Sequence, residues 1–277
     1  MNIIDGRALA EKIKDDIALE VFEAVKNGET HPSLAIVLVG TRPDSKLYVS
    51  LKEREAKKLG IDTYLYELDE AVSELELTQT IEFLNKDNSI DSILVQLPLP
   101  ENFDTDKIMS KLDPKKDADG FLENHPKNVM SPVLAAIKLM LENTKITATK
   151  LTAGALYNSE VFGGALKKIL TDFGFKEVIG ITGKKAGEVK DISSRVDVLI
   201  TAIGVPLFIK DNMIKDQAVI IDVGTTRVGT KVCGDVDFDS VKDKVSFISP
   251  VPGGIGPMTI AFLFKNVLSI YKNKKTA

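Results

Sequence analysis

Short apolar segments alternate with longer segments of helical periodicity along almost the whole chain. The clearest apolar segment is SLAIVLV, residues 33–39, which ends at Gly40. A run without polar alternation is typical of a strand buried on both faces. Before it, apolar residues recur at every fourth position from Leu9 to Val25, which predicts an amphipathic helix that ends near Asn27-Gly28.

The same alternation continues to the C-terminus. Further strands are expected at residues 63–68, 90–97, 177–181, 196–203, 218–223 and 245–248. Further helices are expected at residues 74–84, 132–141, 163–171 and 256–272, and one that Asp44 or Ser45 caps and that runs to Leu59. Strands that alternate with helices indicate an α/β fold with parallel sheets covered on both faces. A chain of 277 residues is long enough for two domains, and the charged, turn-rich segment DPKKDADG, residues 113–120, is the expected boundary.

Composition excludes several classes of protein. The net charge of -4 argues against a nucleic-acid-binding protein, which needs clustered cationic surface. A single cysteine, Cys233, cannot form an intrachain disulfide, and neither histidine lies in a spacing that suggests a metal site. The apolar runs are too short to span a membrane, and charges interrupt the N-terminal segment, unlike a signal peptide. We therefore expect a cytoplasmic protein with no membrane, nucleic-acid or metal partner.

The first pair of residues that could carry chemistry is Tyr48 and Lys52. They lie four positions apart on a predicted helix, so both side chains project from one face. Burial beside a phenol could lower the pKa of the amine until it exchanges protons near neutrality. The alternative is a surface helix with an extended lysine and a half-buried tyrosine.

Two further polar groups follow the third predicted strand. Gln96 begins the segment QLPLP at the strand's carboxyl end, where ligands of open α/β sheets bind. Asp119 lies in the segment KDADGF, and its carboxylate could accept from two adjacent N–H groups of a heterocycle. Each of these residues is also compatible with an ordinary strand end or a solvated interdomain turn.

A loop rich in proline and glycine, PVPGGIGPMT, occupies residues 250–259. Such a loop is stiff, exposes backbone N–H groups and leads into a helix whose N-terminus favours anions or polar ligand groups. A plain interdomain turn is the alternative.

These four segments occur together and in order, and the chain thereby resembles the methylenetetrahydrofolate dehydrogenase/methenyltetrahydrofolate cyclohydrolase family. The segments Asp222-Val223-Gly224 and GDVDF, residues 234–238, are also similar to that family. The resemblance implies two α/β domains with a cleft between them, the second a Rossmann-like doubly wound sheet. Residues 1–120 with 256–277 would form the folate-binding catalytic domain, and residues 121–255 the nicotinamide-cofactor domain, which mediates a homodimer.

The resemblance also implies a role for each candidate residue. Lys52 would be the general acid/base, Gln96 would orient it, Tyr48 would face the folate and Asp119 would hold the pterin ring. The implied substrate-binding residues are Tyr48, Gln96, Leu97, Pro98, Asp119, Gly253, Gly254 and Pro257. The implied residues for the NADP cofactor are Ser159, Gly163, Lys184, Gly204 and Thr225.

The cofactor loop departs from the family pattern. Where the family has glycine-arginine-serine, this chain has Tyr157-Asn158-Ser159. A tyrosine would keep a pyrophosphate from the backbone, the missing arginine would have gripped a 2′-phosphate, and Glu160 adds negative charge. The segment Thr182-Gly183-Lys184-Lys185 stands where the family has a histidine-serine element, and the segment between Phe121 and Pro132 is shortened.

The expected activity is hydrolysis of 5,10-methenyltetrahydrofolate to 10-formyltetrahydrofolate, with NADP-linked oxidation of 5,10-methylenetetrahydrofolate. The divergent loop leaves open a monofunctional cyclohydrolase that has lost the dehydrogenase reaction. A non-catalytic folate-binding paralogue is a further alternative, although such a protein has little need for Lys52. An α/β dehydrogenase with another substrate is the weakest alternative, since it would not need the folate-side residues.

Overall fold

A computed structural model describes residues 1–122, 125–126, 128–182 and 186–276. The chain divides into two compact units. The six-strand unit comprises Met1–Ala10 and Val133–Thr259, and the three-strand unit comprises Glu11–Pro132 and Ile260–Ala277. The assignment of the folate and cofactor domains remains a prediction.

The three-strand unit contains one parallel sheet with the strand order β3-β2-β4, counted over the described residues. The strands are β2 (Ser33–Val39), β3 (Asp62–Leu68) and β4 (Ser92–Val95). The helices that lie wholly or largely in this unit are α1 (Gly6–Lys26), α2 (Pro43–Leu59), α3 (Glu74–Lys86), α4 (Thr105–Met109) and α9 (Ile255–Thr276). Every residue of β2 is buried, as its apolar sequence predicts, because the strand is central and covered on both faces.

The six-strand unit contains a sheet with the order β1-β11-β8-β7-β5-β6 within the described part of the chain. All its neighbouring strands pair in parallel. Its strands are β1 (Asn2–Ile3), β5 (Thr152–Tyr157), β6 (Glu177–Thr182), β7 (Val198–Ala202), β8 (Val219–Asp222) and β11 (Phe247–Ile248). Its helices are α5 (Pro132–Thr144), α6 (Glu160–Phe173), α7 (Ala186–Ser193) and α8 (Phe238–Val241). The fold class is therefore the predicted one, α/β in two units with a doubly wound parallel sheet in the second.

Some local features differ from the sequence-based expectations. Helix α2 begins at Pro43, and no side chain caps it, because the expected caps Asp44 and Ser45 lie within its first turn. Asp44 forms an ion pair with Arg42. An antiparallel hairpin of β9 (Thr226–Val228) and β10 (Lys231–Cys233) was not expected from the sequence. Taken over the described residues, no helix is both long and apolar enough to cross a lipid bilayer.

Candidate active site

Lys52 and Gln96 form the centre of the candidate site in the three-strand unit. The Lys52 Nζ atom donates a hydrogen bond of 2.8 Å to Gln96 Oε1. Helix α2 supplies the lysine, and the residue directly after β4 supplies the amide. The backbone N–H of Gln96 donates to the Val37 carbonyl, and its side-chain Nε2 donates to the Leu97 carbonyl. The sheet therefore holds the amide in place with its oxygen directed at the amine.

Asp119 is brought to this site by a sharp turn. The preceding residues pair with the edge of the sheet, through a bridge between Ile93 and Asp117. The Asp117 carboxylate then accepts from the backbone N–H groups of Asp119 and Leu122, at 3.1 and 2.8 Å. Gly120 adopts a φ of 59°, and a Cβ atom there would lie 2.8 Å from the Met130 carbonyl carbon. Only glycine fits this turn without strain.

Electrostatics at the site favour proton transfer. Burial lowers the pKa of Lys52, and the negative charge of Asp119 partly opposes that shift. Burial raises the pKa of Asp119, and the charge of Lys52 opposes that shift in turn. Among the described residues, no group donates a hydrogen bond to the Asp119 carboxylate. The result is an amine with a pKa moved toward neutrality, a neutral amide partner and a carboxyl group free to bind a ligand.

The remaining predicted residues of the three-strand unit lie next to this cluster along the chain. Tyr48 precedes Lys52 by four residues on α2, and its side chain is 44% exposed. An exposed phenol on the face that carries the lysine is available to stack on a planar ligand. Leu97 is half-buried and Pro98 is exposed, directly after the amide.

Two residues that build this site were not predicted from the sequence. Asp117 directs the turn of Asp119, and the only signal was its position two residues earlier in the same charged segment. Asn266 on α9 donates from Nδ2 to the carbonyls of Ala118 and Met130, at 2.9 and 2.8 Å. It is a buried polar residue, and a polar side chain at a buried helix position indicates a specific hydrogen-bond partner.

The proline-glycine loop lies in the six-strand unit. Gly253 adopts a φ of 112°, and a Cβ atom on Gly254 would lie 2.6 Å from the Pro250 carbonyl oxygen. A Cβ atom on Gly6 would overlap Gly254, so the loop packs closely against the start of α1. Pro257 is half-buried in the first turns of α9. A contact of this loop with folate remains a prediction.

The six-strand unit has the geometry of a dinucleotide-binding sheet. The chain runs from β5 to β6 on one side and then returns to β7 on the other side of β5. The carboxyl ends of β5 and β7 are therefore neighbours at the point where the strand order reverses. Ligands of doubly wound sheets bind at this point.

The side chain of Tyr157, the last residue of β5, turns inward. It is 3% exposed. A Cβ atom on Gly163 would lie only 2.4 Å from the Tyr157 Cδ2 atom, so the ring occupies the space beside this glycine. A Cβ atom on Gly180 would lie 2.8 Å from the Tyr157 hydroxyl. The two glycines thus accommodate the ring beneath α6. The expectation that Tyr157 screens the backbone of the turn is wrong, because the ring does not project from it.

The turn itself remains open to a diphosphate. Ser159 caps the fourteen-residue helix α6, and Ser159 and Glu160 are both exposed. An exposed helix N-terminus provides unpaired N–H groups for an anion, so the residues present fit the diphosphate of a dinucleotide. Asn158, which replaces the family's arginine, donates from Nδ2 to the Ile203 carbonyl at 2.7 Å. Its side chain is therefore engaged within the protein.

The other predicted cofactor residues occupy different positions. Gly204 is exposed after β7 with a φ of 68°, and Thr225 is exposed after β8. Gly163 is buried against the Tyr157 ring, which gives it a packing role. Lys184 lies outside the described residues.

Comparison with known proteins gives a consistent result. Residues 4–119 match the sequence model "Tetrahydrofolate dehydrogenase/cyclohydrolase, catalytic domain", and residues 132–275 match the "NAD(P)-binding domain" of the same family. The bifunctional protein FolD of Aliarcobacter butzleri is 38% identical over 98% of this chain and 97% of its own length. The bifunctional protein FolD of Rickettsia massiliae is 40% identical over 98% and 97%.

Solved structures of enzymes with the same family name superpose closely on this chain. The FolD methylenetetrahydrofolate dehydrogenase/cyclohydrolase of Campylobacter jejuni superposes with a TM-score of 0.93 at 32% identity, covering 99% of both chains. The Trypanosoma brucei enzyme, solved with NADP and an inhibitor, superposes with a TM-score of 0.92 at 31% identity, covering 99% of this chain and 98% of the other.

Proposed function

Because the chain belongs to the tetrahydrofolate dehydrogenase/cyclohydrolase family, we propose that it hydrolyses 5,10-methenyltetrahydrofolate to 10-formyltetrahydrofolate and catalyses the NADP-linked oxidation of 5,10-methylenetetrahydrofolate. The observation that carries the proposal is the contact of Lys52 Nζ with Gln96 Oε1 beside Asp119. A half-buried amine whose pKa is lowered by desolvation and that faces a neutral amide is suited to accept and return a proton.

In the hydrolysis, water attacks the bridging carbon of the methenyl cation, between N5 and N10. Lys52 accepts a proton from that water, so that a neutral carbinolamine forms. The bond between the carbon and N5 then breaks, and Lys52 returns the proton to N5 as the carbonyl group of the N10-formyl product forms. A proton is released to solvent overall when the carbinolamine hydroxyl loses its hydrogen. One amine whose pKa is lowered by burial can serve both steps, as acceptor and then as donor of the proton.

The neighbouring groups position the reactants. Gln96 holds the amine without adding a charge that would raise its pKa. The Asp119 carboxylate, which lacks hydrogen-bond donors among the described residues, accepts from paired N–H groups of the pterin ring. Tyr48 presents its exposed ring to the folate. These roles rest on the geometry of the three-strand unit and on the family resemblance.

The dehydrogenase reaction uses the second unit. NADP would supply the hydride acceptor for the bridging carbon when bound. The N-terminus of α6, capped by Ser159, would hold the diphosphate, and Gly204 and Thr225 would line the neighbouring strand ends. In this assignment residues 1–120 and 256–277 bind folate and residues 121–255 bind the cofactor.

We also propose a homodimer that works in the cytoplasm. Strand β6 lies at the edge of its sheet and so has hydrogen-bonding groups on one side that strands of the same sheet do not use. Light scattering of the purified protein should give a mass about twice that of the chain.

Replacement of Lys52 tests the proposed function. We expect Lys52→Met to slow the decay of 5,10-methenyltetrahydrofolate by about 10²–10⁴-fold, since it removes the acid/base group. The decay should be followed by absorbance, alongside oxidation of 5,10-methylenetetrahydrofolate with NADP and with NAD. If the wild-type protein catalyses the hydrolysis but not the oxidation, it is a monofunctional cyclohydrolase.

Lys57→Met is the matched control. Lys57 lies on the same helix but is exposed and lines a surface groove with His31, so its loss should leave both activities unchanged. Full hydrolase activity of Lys52→Met would contradict the assignment of Lys52. Absence of turnover in the wild-type protein would favour a non-catalytic paralogue.

A further inference from the structure

A buried carboxyl group holds the turn after β7 from both sides. Asp235 is fully buried, and its Oδ2 atom accepts from the backbone N–H of Ile203 at 2.8 Å. Its Oδ1 atom accepts from the N–H of Val205 at 3.0 Å. The Thr201 hydroxyl donates to Oδ2 at 2.9 Å. The two clamped amides flank Gly204, so the carboxyl group sets the conformation of this turn.

A second buried carboxyl group holds the first. Asp222, at the end of β8, accepts from the backbone N–H groups of Asp235 and Val236, at 3.1 and 2.9 Å. It also accepts from Gly224 at 2.9 Å. Gly234 leaves space for this arrangement, because a Cβ atom there would lie 2.0 Å from Asp222 Oδ2. Asp222 thus fixes the backbone that carries Asp235.

The clamped turn is tied to the turn after β5. The Asn158 side chain donates a hydrogen bond to the carbonyl of Ile203. The backbone N–H of the same residue donates to Asp235. The Thr226 hydroxyl donates to the Gly204 carbonyl at 3.1 Å. Gly204 itself is exposed, and a Cβ atom there would meet nothing within 4 Å. The network therefore ends in an open glycine turn at the switch point of the sheet.

We propose that Asp235 is a positioning residue for the dinucleotide: it clamps both amides that flank Gly204, and Asp222 and Asn158 hold that clamp against the neighbouring strand ends. The proposal rests on the proposed NADP-linked function. Preformed turns lower the ordering cost of binding, so loss of the clamp raises the dissociation constant of the cofactor. The folate chemistry of Lys52 does not depend on it.

The test compares cofactor binding with hydrolysis. In Asp235→Asn an amide N–H group replaces one of the two acceptor oxygens, so one clamped amide loses its partner. We expect calorimetry on the ligand-free protein to show a Kd for NADP raised about tenfold or more. The cofactor-independent decay of 5,10-methenyltetrahydrofolate should stay within about twofold of wild type. Hydrogen exchange of a peptide covering residues 199–208 should be faster.

Asp197→Asn is the matched control. Asp197 also accepts a backbone N–H, that of Thr152 at 2.9 Å, but just before β7, at the opposite ends of the strands. It should lower the melting temperature and leave the Kd for NADP unchanged. Should Asp235→Asn fail to fold, Thr201→Val removes one donor to the clamp and should raise the Kd by about threefold.

Two results would overturn the inference alone. One is a Kd for NADP in Asp235→Asn that equals the wild-type value, which leaves the proposed function standing. The other is an equal rise in Asp197→Asn, which would mean that any loss of stability weakens binding. A wild-type protein that binds no NADP would instead overturn the proposed dehydrogenase reaction and this inference with it.

Discussion

Asp119 in the three-strand unit and Asp222 in the six-strand unit are aspartates near the carboxyl ends of parallel strands, and burial raises the pKa of both. Their partners differ. Asp222 accepts three backbone N–H groups, whereas the Asp119 carboxylate accepts no hydrogen bond from the described residues and faces Lys52. The hydrogen-bonding capacity of Asp222 is therefore used within the protein, whereas Asp119 retains its capacity to bind a ligand.

The lysines of the three-strand unit show the same contrast. Burial acts to lower the pKa of both Lys14 and Lys52, but the hydrogen bonds that Lys14 donates to Glu11 and Glu55 raise its pKa above the ordinary value. Lys52 has a neutral amide as its hydrogen-bond partner, so the shift by burial prevails. Lys14 is paired with two carboxylates, as in a structural ion pair, whereas the candidate catalytic amine of Lys52 forms a hydrogen bond to a neutral amide.

Among the variants that test this comparison of carboxyl groups, Asp119→Asn should have the largest effect. The change should lower kcat/KM for hydrolysis by about 10²-fold or more, since a charged pair of hydrogen bonds to the pterin ring is lost. Stability should hardly change, because no described group donates to this carboxylate. Loss of the negative charge also lowers the pKa of Lys52 further. The rising limb of the pH–rate profile should therefore move to lower pH.

Glu53→Gln is the control for the change of charge. Glu53 neighbours Lys52 in sequence but lines the groove that contains His31. Its neutralisation should therefore leave the rising limb of the pH–rate profile at the wild-type pH. If Asp119→Asn instead lowers the melting temperature and spares hydrolysis, Asp119 belongs with Asp222 as a structural carboxyl group.

A smaller effect, on stability, should come from Gly234→Ala. The added methyl group would occupy the position of Asp222 Oδ2, so we expect a loss of about 1–3 kcal/mol in the free energy of unfolding. Gly164→Ala is the matched control, because α6 leaves open space at that position. It should stabilise the protein by about 0.5–1 kcal/mol through helix propensity. Equal melting temperatures of the two variants would show that Asp222 can move without cost.

Local pattern predicted much of this fold. The residues of β2 were predicted without error, because a central strand is apolar on both faces. The spacing of Tyr48 and Lys52 correctly placed both on one helix. Short elements were missed: β9 and β10 have three residues each, too few for a periodicity to be visible.

Contacts between distant residues could not be predicted in the same way. The inward turn of the Tyr157 ring depends on Gly163 and on Gly180, which lies on another strand. The segments that contain Asp222 and Asp235 were noted only for their family likeness. Their carboxyl groups meet backbone amides up to 32 residues away, and only the assembled sheet brings these together.

The smallest expected effect is a pH dependence that distinguishes Asp222 from Asp119. Burial first, and then the charge of Asp235, raise the pKa of Asp222 from 3.8 to about 7, against the backbone hydrogen bonds that lower it. Between these values the folded protein binds a proton that the unfolded chain has released, so stability falls as pH rises. The amide side chain of the Asp222→Asn variant cannot titrate. The advantage in melting temperature of wild type over this variant should therefore shrink from about pH 5 to about pH 7 and then level off.

Asp197→Asn provides the opposite case for this measurement. Hydrogen bonds from Lys215 and Thr152 lower the pKa of Asp197 despite its partial burial. Its contribution is present above the ordinary pKa of an aspartate and is lost only as pH falls through the lowered value, so it should be constant between about pH 5 and about pH 8. A wild-type advantage over Asp222→Asn that is equally constant would mean that Asp222 is ionised throughout. The three backbone N–H donors would then lower the pKa of Asp222 by more than burial raises it. Of the two aspartates compared, only Asp119, beside Lys52, would then keep a raised pKa.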